Sequence, residues 1–115
     1  MNQLLTIFKL LSDETRLRIV ILLSQQELCV CELSGILDLS QPKVSKNLSK
    51  LRDMNVVFAR REEKYVFYAL TCDNVILTNT VKTILDNLDD YPQLILDKNR
   101  IVDKEKYLSQ CSICD

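Results

Sequence analysis

The chain contains no histidine. Histidine metal ligands, a histidine general base and a histidine pH switch are therefore excluded. Ser–His and Cys–His nucleophile pairs go with them. Any metal site must use thiolate, carboxylate or backbone oxygen. No apolar run approaches the ~20 residues needed to cross a bilayer. No basic stretch followed by an apolar core opens the sequence, so a secretory signal is not expected. A cytoplasmic protein without membrane attachment, its thiols reduced, is the expectation. Gly35 is the only glycine, and there are two prolines in 115 residues. No internal repeat and no low-complexity linker interrupt the chain, and its 47% hydrophobic content is that of a globular domain. At this length it is one domain, burying roughly two-thirds of the surface its unfolded form would expose.

Net charge is −1, but its distribution is uneven. Residues 40–64 hold seven basic side chains (Lys43, Lys46, Lys50, Arg52, Arg60, Arg61, Lys64) against three acidic ones. The segments on either side are net acidic. A near-neutral protein with one concentrated positive segment directs a polyanion there. A solvated helix face is the plainer account of such a run, but the helix pattern inside it favours DNA.

Periodicity predicts mostly helices. Asn2 to Leu11 carries the stripe Leu4, Leu5, Ile7, Phe8, Leu11. Ser12-Asp13-Glu14 starts a second helix, with a capping oxygen and acids at its positive end. Beyond Arg18 that helix is apolar nearly all round to about Ser24, as a central core helix would be. Gln25 to Leu28 form a link, and Cys31 to Leu37 a short third helix. Asp38-Leu39-Ser40 is a tight turn, and Asp38 tolerates a left-handed backbone better than most residues. Ser40 caps a fourth helix to about Met54, with Pro42 harmless in its first turn. Val44, Leu48 and Leu51 form its narrow inward stripe. Gln41, Lys43, Ser45, Lys46, Asn47, Ser49, Lys50 and Arg52 take the remaining faces. A short helix, a tight turn and a helix with amides, hydroxyls and cations outward is a helix-turn-helix signal. Val56 to Arg61 and Tyr65 to Leu70, both rich in β-branched and aromatic residues, predict a β-hairpin wing across Glu62-Glu63-Lys64. Asp73 to about Leu88 is a fifth helix with Leu77, Val81, Ile84 and Leu88 on one face. Gln93 to Asp115 is weakly patterned. The expected fold is mainly α with a small β-hairpin: a winged helix-turn-helix domain over residues 1–90, followed by a tail over 91–115.

Five cysteines remain to be placed. Glu27-Leu28-Cys29-Val30-Cys31-Glu32-Leu33 puts two of them one residue apart just before the basic helix. Residues i and i+2 of a regular helix point apart. Cys29 and Cys31 share an ion only if they straddle a helix start, with Cys29 in the link and Cys31 in the first turn. The positive helix end would then favour thiolate, and thiolates select soft ions. The plainer reading is burial, since free cysteine is among the most buried residue types. Cys111-x-x-Cys114 has a spacing that allows both sulfurs onto one ion; two thiols with no role explain it equally well. Cys72, just after the wing, is expected to be a buried small hydrophobe.

The order of elements resembles the ArsR/SmtB family of repressors over roughly residues 4 to 90. Leu11-Ser12-Asp13-Glu14-Thr15-Arg16-Leu17-Arg18-Ile19 is similar to the start of that family's second helix. Leu39 to Leu48, continuing to Leu51-Arg52, resembles its recognition helix, and the Cys29–Cys31 box resembles the metal-sensing box of its arsenite- and cadmium-responsive members. Three positions depart. Asn47 stands where histidine is frequent, Ser34 where many arsenite sensors have a third cysteine, and Asp38 where many relatives have glycine. The N-terminal cysteines of the cadmium-type sensors have no counterpart before the first helix here.

The resemblance implies a homodimeric repressor, not an enzyme, that leaves double-stranded operator DNA when As(III) or Sb(III) binds. Its metal ligands would be Cys29 and Cys31, with a third sulfur from Cys72, Cys111 or Cys114; Cys111 and Cys114 are the candidates of choice. Gln41, Ser45, Lys46 and Asn47 would lie near bases, and Lys43, Ser49 and Lys50 on phosphates. Arg60, Arg61 and Lys64 would approach the backbone or minor groove. The N-terminal and fifth helices would form the dimer, their apolar surface exceeding what a small core absorbs. The alternatives are a cadmium, lead or zinc sensor of the same fold, a repressor switched by thiol oxidation, or a thiol oxidoreductase or metallochaperone. The last lacks the βαβ setting such enzymes use and leaves the basic helix unexplained.

Overall fold

The computed structural model describes residues 2–103. The order of elements is α1 (Asn2–Leu11), α2 (Glu14–Gln25), β1 (Leu28–Cys29), α3 (Val30–Leu37), α4 (Gln41–Asp53), β2 (Val57–Glu62), β3 (Tyr65–Leu70), α5 (Val75–Asp86) and α6 (Pro92–Arg100). Single 3-10 turns, Leu88–Asp90 and Ile101–Asp103, flank α6.

The central element is α2. Asp13 caps it, its carboxylate accepting from the Arg16 N–H at 3.0 Å. Ile19 through Leu23 are all buried. A helix buried on five consecutive residues needs partners on every side, and α2 packs on α1, α4, α5, α6 and β3. The turn between α3 and α4 is short because Asp38 takes a left-handed backbone, φ 56° and ψ 48°, and ends α3 there. The Leu39 N–H returns to the Ser34 carbonyl at 3.2 Å. Ser40 then caps α4, its hydroxyl accepting from the Lys43 N–H. Val44, Leu48 and Leu51 are buried, which seats α4 on α2 and α3.

The wing is an antiparallel hairpin in which Val57 pairs with Leu70 and Glu62 with Tyr65. Its two-residue loop has no glycine; Glu63 supplies the positive φ, 55°. Gln25 to Leu28, expected as a bare link, leads into a third strand. Leu28 pairs with Tyr68 and Cys29 with Phe67, giving the sheet order β1-β3-β2. Two residues of alternation are too few to announce a strand.

A second difference lies beyond Tyr91. The stretch from Gln93, expected as weakly patterned tail, forms α6 and docks on α2 and α3. Arg18 grips both oxygens of Asp97 with one edge of its guanidinium, through Nε at 2.9 Å and Nη2 at 2.8 Å. Gln93 donates to the same carboxylate at 3.0 Å, and Asp97 is 1% exposed. The Asp97 hydrogen bonds raise the Arg18 pKa above its ordinary value, against the opposing effect of burial. Arg100 donates to the Gly35 carbonyl at 2.9 Å, tying α6 to α3.

The apolar stripes are used differently from expectation. Leu77, Val81 and Leu88 face the core, with Ile84 half-buried. On α1, Ile7 and Leu10 are buried. The outward apolar residues are Leu5 and Phe8 on α1, and Val75 and Ile76 at the start of α5.

Asp97→Ala removes one partner of a buried, bidentate pair and strands a guanidinium. A loss of about 3 kcal/mol in urea unfolding is expected. Asp38→Val places a β-branched residue in the left-handed region and is expected to cost about 1–2 kcal/mol.

Candidate metal centre and nucleic-acid interface

Cys29 is where the sheet becomes a helix. It is the last residue of β1 and the N-cap of α3, with φ −94° and ψ 173°. Cys31 follows in the first turn. This is the straddled helix start that the Cys-x-Cys spacing requires. The Cys29 N–H donates to Glu32 Oε1 at 3.0 Å, and Glu32 is 2% exposed. A carboxylate three residues past the cap, reaching back to the cap N–H, is half of a capping box. Sequence reasoning missed Glu32 because the cap residue is cysteine and not Ser, Thr, Asp or Asn.

Both cysteines are buried, Cys29 at 0% and Cys31 at 4% exposure. An ion arriving from solvent therefore needs local opening of the α3 start. Cys31 stands in a disulfide. Ion capture by its sulfur requires the reduced form. Among the described residues no group of three or more Cys, Asp or Glu converges as a metal site. The donor chemistry fits two soft ligands of a thiophilic ion, with a third to come from elsewhere. Cys72 is exposed, not buried as expected, because it lies between β3 and the cap of α5, where the chain runs over the surface. Cys111 and Cys114 lie outside the described residues.

On α4, Gln41, Lys43, Lys46, Ser49 and Lys50 are exposed, and Ser45 is half-buried. Together these residues span the whole solvent-facing arc of the helix, opposite Val44, Leu48 and Leu51. Asn47 was expected with them but is 8% exposed. Its amide donates to the Lys43 carbonyl at 2.9 Å, and its oxygen accepts from Arg16 Nη1 at 3.4 Å. Arg16 also donates to the Leu10 carbonyl at 3.0 Å. Asn47 thus closes a polar bridge from α4 through α2 to the end of α1, which no helical stripe foretells.

The wing cations are unequal. Arg60 is held by Glu27 and Glu62, each at 2.8 Å. The Glu62 and then the Glu27 hydrogen bonds raise its pKa further above the ordinary arginine value. It also lies 5.5 Å over the Phe67 ring. Lys64 sits 5.3 Å over the Tyr65 ring, and Arg61 is exposed. Gln41, finally, donates from Nε2 to Cys31 Sγ at 3.6 Å.

A tight α3–α4 turn, an outward cationic face on α4 and a hairpin beside it define a winged helix-turn-helix fold. Residues 13–58 match the family described as "Bacterial regulatory protein, arsR family". The arsenical resistance operon repressor of Staphylococcus aureus is 37% identical over 83 residues, 72% of this chain and 78% of that protein. The chain belongs to the ArsR family. The arsenical resistance operon repressor of Escherichia coli K12 is 52% identical over 66 residues, 56% of each chain. The chain thus spans little more than half the length of that relative. Among solved structures, reduced HlyU from Vibrio cholerae superposes with a TM-score of 0.66 at 32% identity, covering 72% of this chain and 85% of that one. The two sequence relatives carry the name of an operon repressor. No helix of the described residues is long and apolar enough to cross a membrane.

Lys46→Ala should flatten the dependence of log affinity for DNA on log salt by about one phosphate's worth, roughly 0.9 in slope. Arg60→Ala should leave that slope nearly unchanged, since Glu27 and Glu62 already match its charge. Fluorescence anisotropy across a salt series reads both.

Proposed function

We propose that the chain is a cytoplasmic repressor that binds operator DNA as a homodimer and releases it when arsenite or antimonite engages Cys29 and Cys31. The observation that carries this reading is the position of Cys29, strand-paired to the wing on one side and capping α3 on the other. Drawing its sulfur toward Cys31 and a third donor pulls on both parts of the DNA-binding unit. Cys111 and Cys114 are the proposed source of that donor. Arsenic resistance in the named relatives supports As(III) and Sb(III) as the inducing ion, with cadmium, lead or zinc as the alternative.

Gln41, Ser45 and Lys46 would face base edges, and Lys43, Ser49 and Lys50 phosphates. Arg61 and Lys64 would touch the backbone from the wing. Asn47 would act through Arg16 and the helix backbone, fixing α4. Leu5, Phe8, Val75 and Ile76 would meet their counterparts in the second copy, setting two α4 helices about one helical turn of DNA apart. A clean switch between bound and released forms needs on the order of 5 kcal/mol of differential ion affinity. A small strain at each of two symmetric sites, magnified by the fixed spacing of the dimer, suits that demand.

A second reading has one observation in its favour. Cys31 carries a disulfide, as a repressor switched by thiol oxidation would require. Peroxide then releases DNA without any ion, and a dithiol restores binding.

The deciding experiment is DNA release from a duplex that the wild-type chain selects from a randomised pool, under reducing conditions. Arsenite and antimonite should release the wild type, and Cys29→Ser and Cys31→Ser should each need at least about ten-fold more arsenite. Normal release from Cys29→Ser defeats the thiolate mechanism. Release by cadmium or zinc alone moves the assignment to a divalent ion.

A further inference from the structure

The Cys31 sulfur and the DNA-facing helix meet at one side chain. Gln41 is the first residue of α4 and is exposed, whereas Cys31 is 4% exposed. Its carboxamide therefore runs from a buried sulfur, which stands in a disulfide and lies 3.6 Å from Nε2, to the surface proposed to face DNA, and the same contact is taken to persist in the thiol. A carboxamide is planar and two-sided. Its NH2 donates and its oxygen accepts. With the NH2 turned to sulfur, the oxygen is fixed on the opposite edge, free to accept from an exocyclic amine in the major groove.

We infer that Gln41 is a positioning relay between the two sites: its N–H···S bond to Cys31 aims its oxygen at a base, and an ion that takes up the sulfur lone pairs breaks the bond and releases the aim. The inference rests on the reading of α4 as the DNA-binding helix and of Cys31 as an ion ligand. It adds a direct contact to the strain already described. Sulfur is a weak acceptor, and an ordinary hydrogen bond is worth only about two- to ten-fold in an equilibrium. The relay therefore contributes one part of the switch and sets which base is read while the ion is absent.

The contact makes coupling measurable without any metalloid. The chains compared are the wild type, Gln41→Met, Cys31→Ala and the double variant, on the duplex selected by the wild type, under reducing conditions. Methionine keeps the length of Gln41 but cannot donate. Each single change should weaken ion-free binding about two- to ten-fold, and the double variant should be no weaker than Gln41→Met alone. Cys31→Ser, whose hydroxyl still accepts from the amide, should remain within about two-fold of the wild type. Re-selection from the random pool should show Gln41→Met indifferent at one base pair per half-site where the wild type discriminates, which loss of helix stability alone would not produce. With sodium arsenite, the ratio of DNA affinities without and with the ion should fall in Gln41→Met by the factor the cycle gives.

Additive single effects, or unchanged base preference in Gln41→Met, overturn the relay whatever arsenite does. A non-additive cycle in a wild type that arsenite does not move defeats the metalloid reading and leaves the relay standing.

Discussion

Cys29 is held at its backbone from two directions, by the pairing of β1 with β3 and by the Glu32 carboxylate that accepts its N–H. That joint governs the geometry of the DNA-binding unit. On one side Cys29 is part of the wing sheet; on the other it caps a helix that reaches α4 through a three-residue turn. Because Cys29 is fully buried and Glu32 nearly so, the joint has little room to absorb movement. A close-packed interior transmits displacement instead of damping it. Chemistry at the Cys29 sulfur therefore has a short, stiff route to both α4 and the wing.

The helix-turn-helix pair is braced from behind by a second set of polar contacts. Asp97 holds Arg18 on α2, Arg100 holds the Gly35 carbonyl on α3, and Arg16 joins Asn47 of α4 to the end of α1. Each crosses between elements distant in sequence. Arginine suits this role, since its planar fork gives several donors of fixed direction. The result is that α3 and α4 are located by directional bonds as well as by apolar packing. The half-site recognition proposed for a dimer would depend on such precision, because two recognition helices would have to match one helical turn of DNA together.

Charge on the DNA side is sorted by the same logic. Arg60 belongs to the fold, its charge matched by Glu27 and Glu62 and its guanidinium lying over the Phe67 ring. The exposed lysines of α4 carry no such acidic partners among the described residues. The positive segment 40–64 thus resolves into cations that hold the wing and cations that face outward. Net charge alone could not separate them.

Local pattern determined the elements whose reason is local. The 4–3 spacing of Val44, Leu48 and Leu51, the cap at Ser40 and the β-branched flanks of the wing all declare themselves within a few residues. So does the Cys-x-Cys pair, because only a helix start lets both sulfurs serve one ion. The tertiary structure decided what depends on residues far apart. Strand β1 exists because β3 offers it an edge. Helix α6 turns Leu94 and Asp97 inward, and its aspartate hid it: a buried charge breaks an apolar stripe and makes sense only once Arg18, 79 positions away, is beside it. Asn47 reads as a surface amide until Arg16 comes within reach, and the approach of Gln41 to Cys31 is fixed by the left-handed turn at Asp38. The chain's periodicities specify where helices and strands form; which polar groups end up paired is set by the folded arrangement, because a hydrogen bond needs a partner that only three-dimensional proximity supplies.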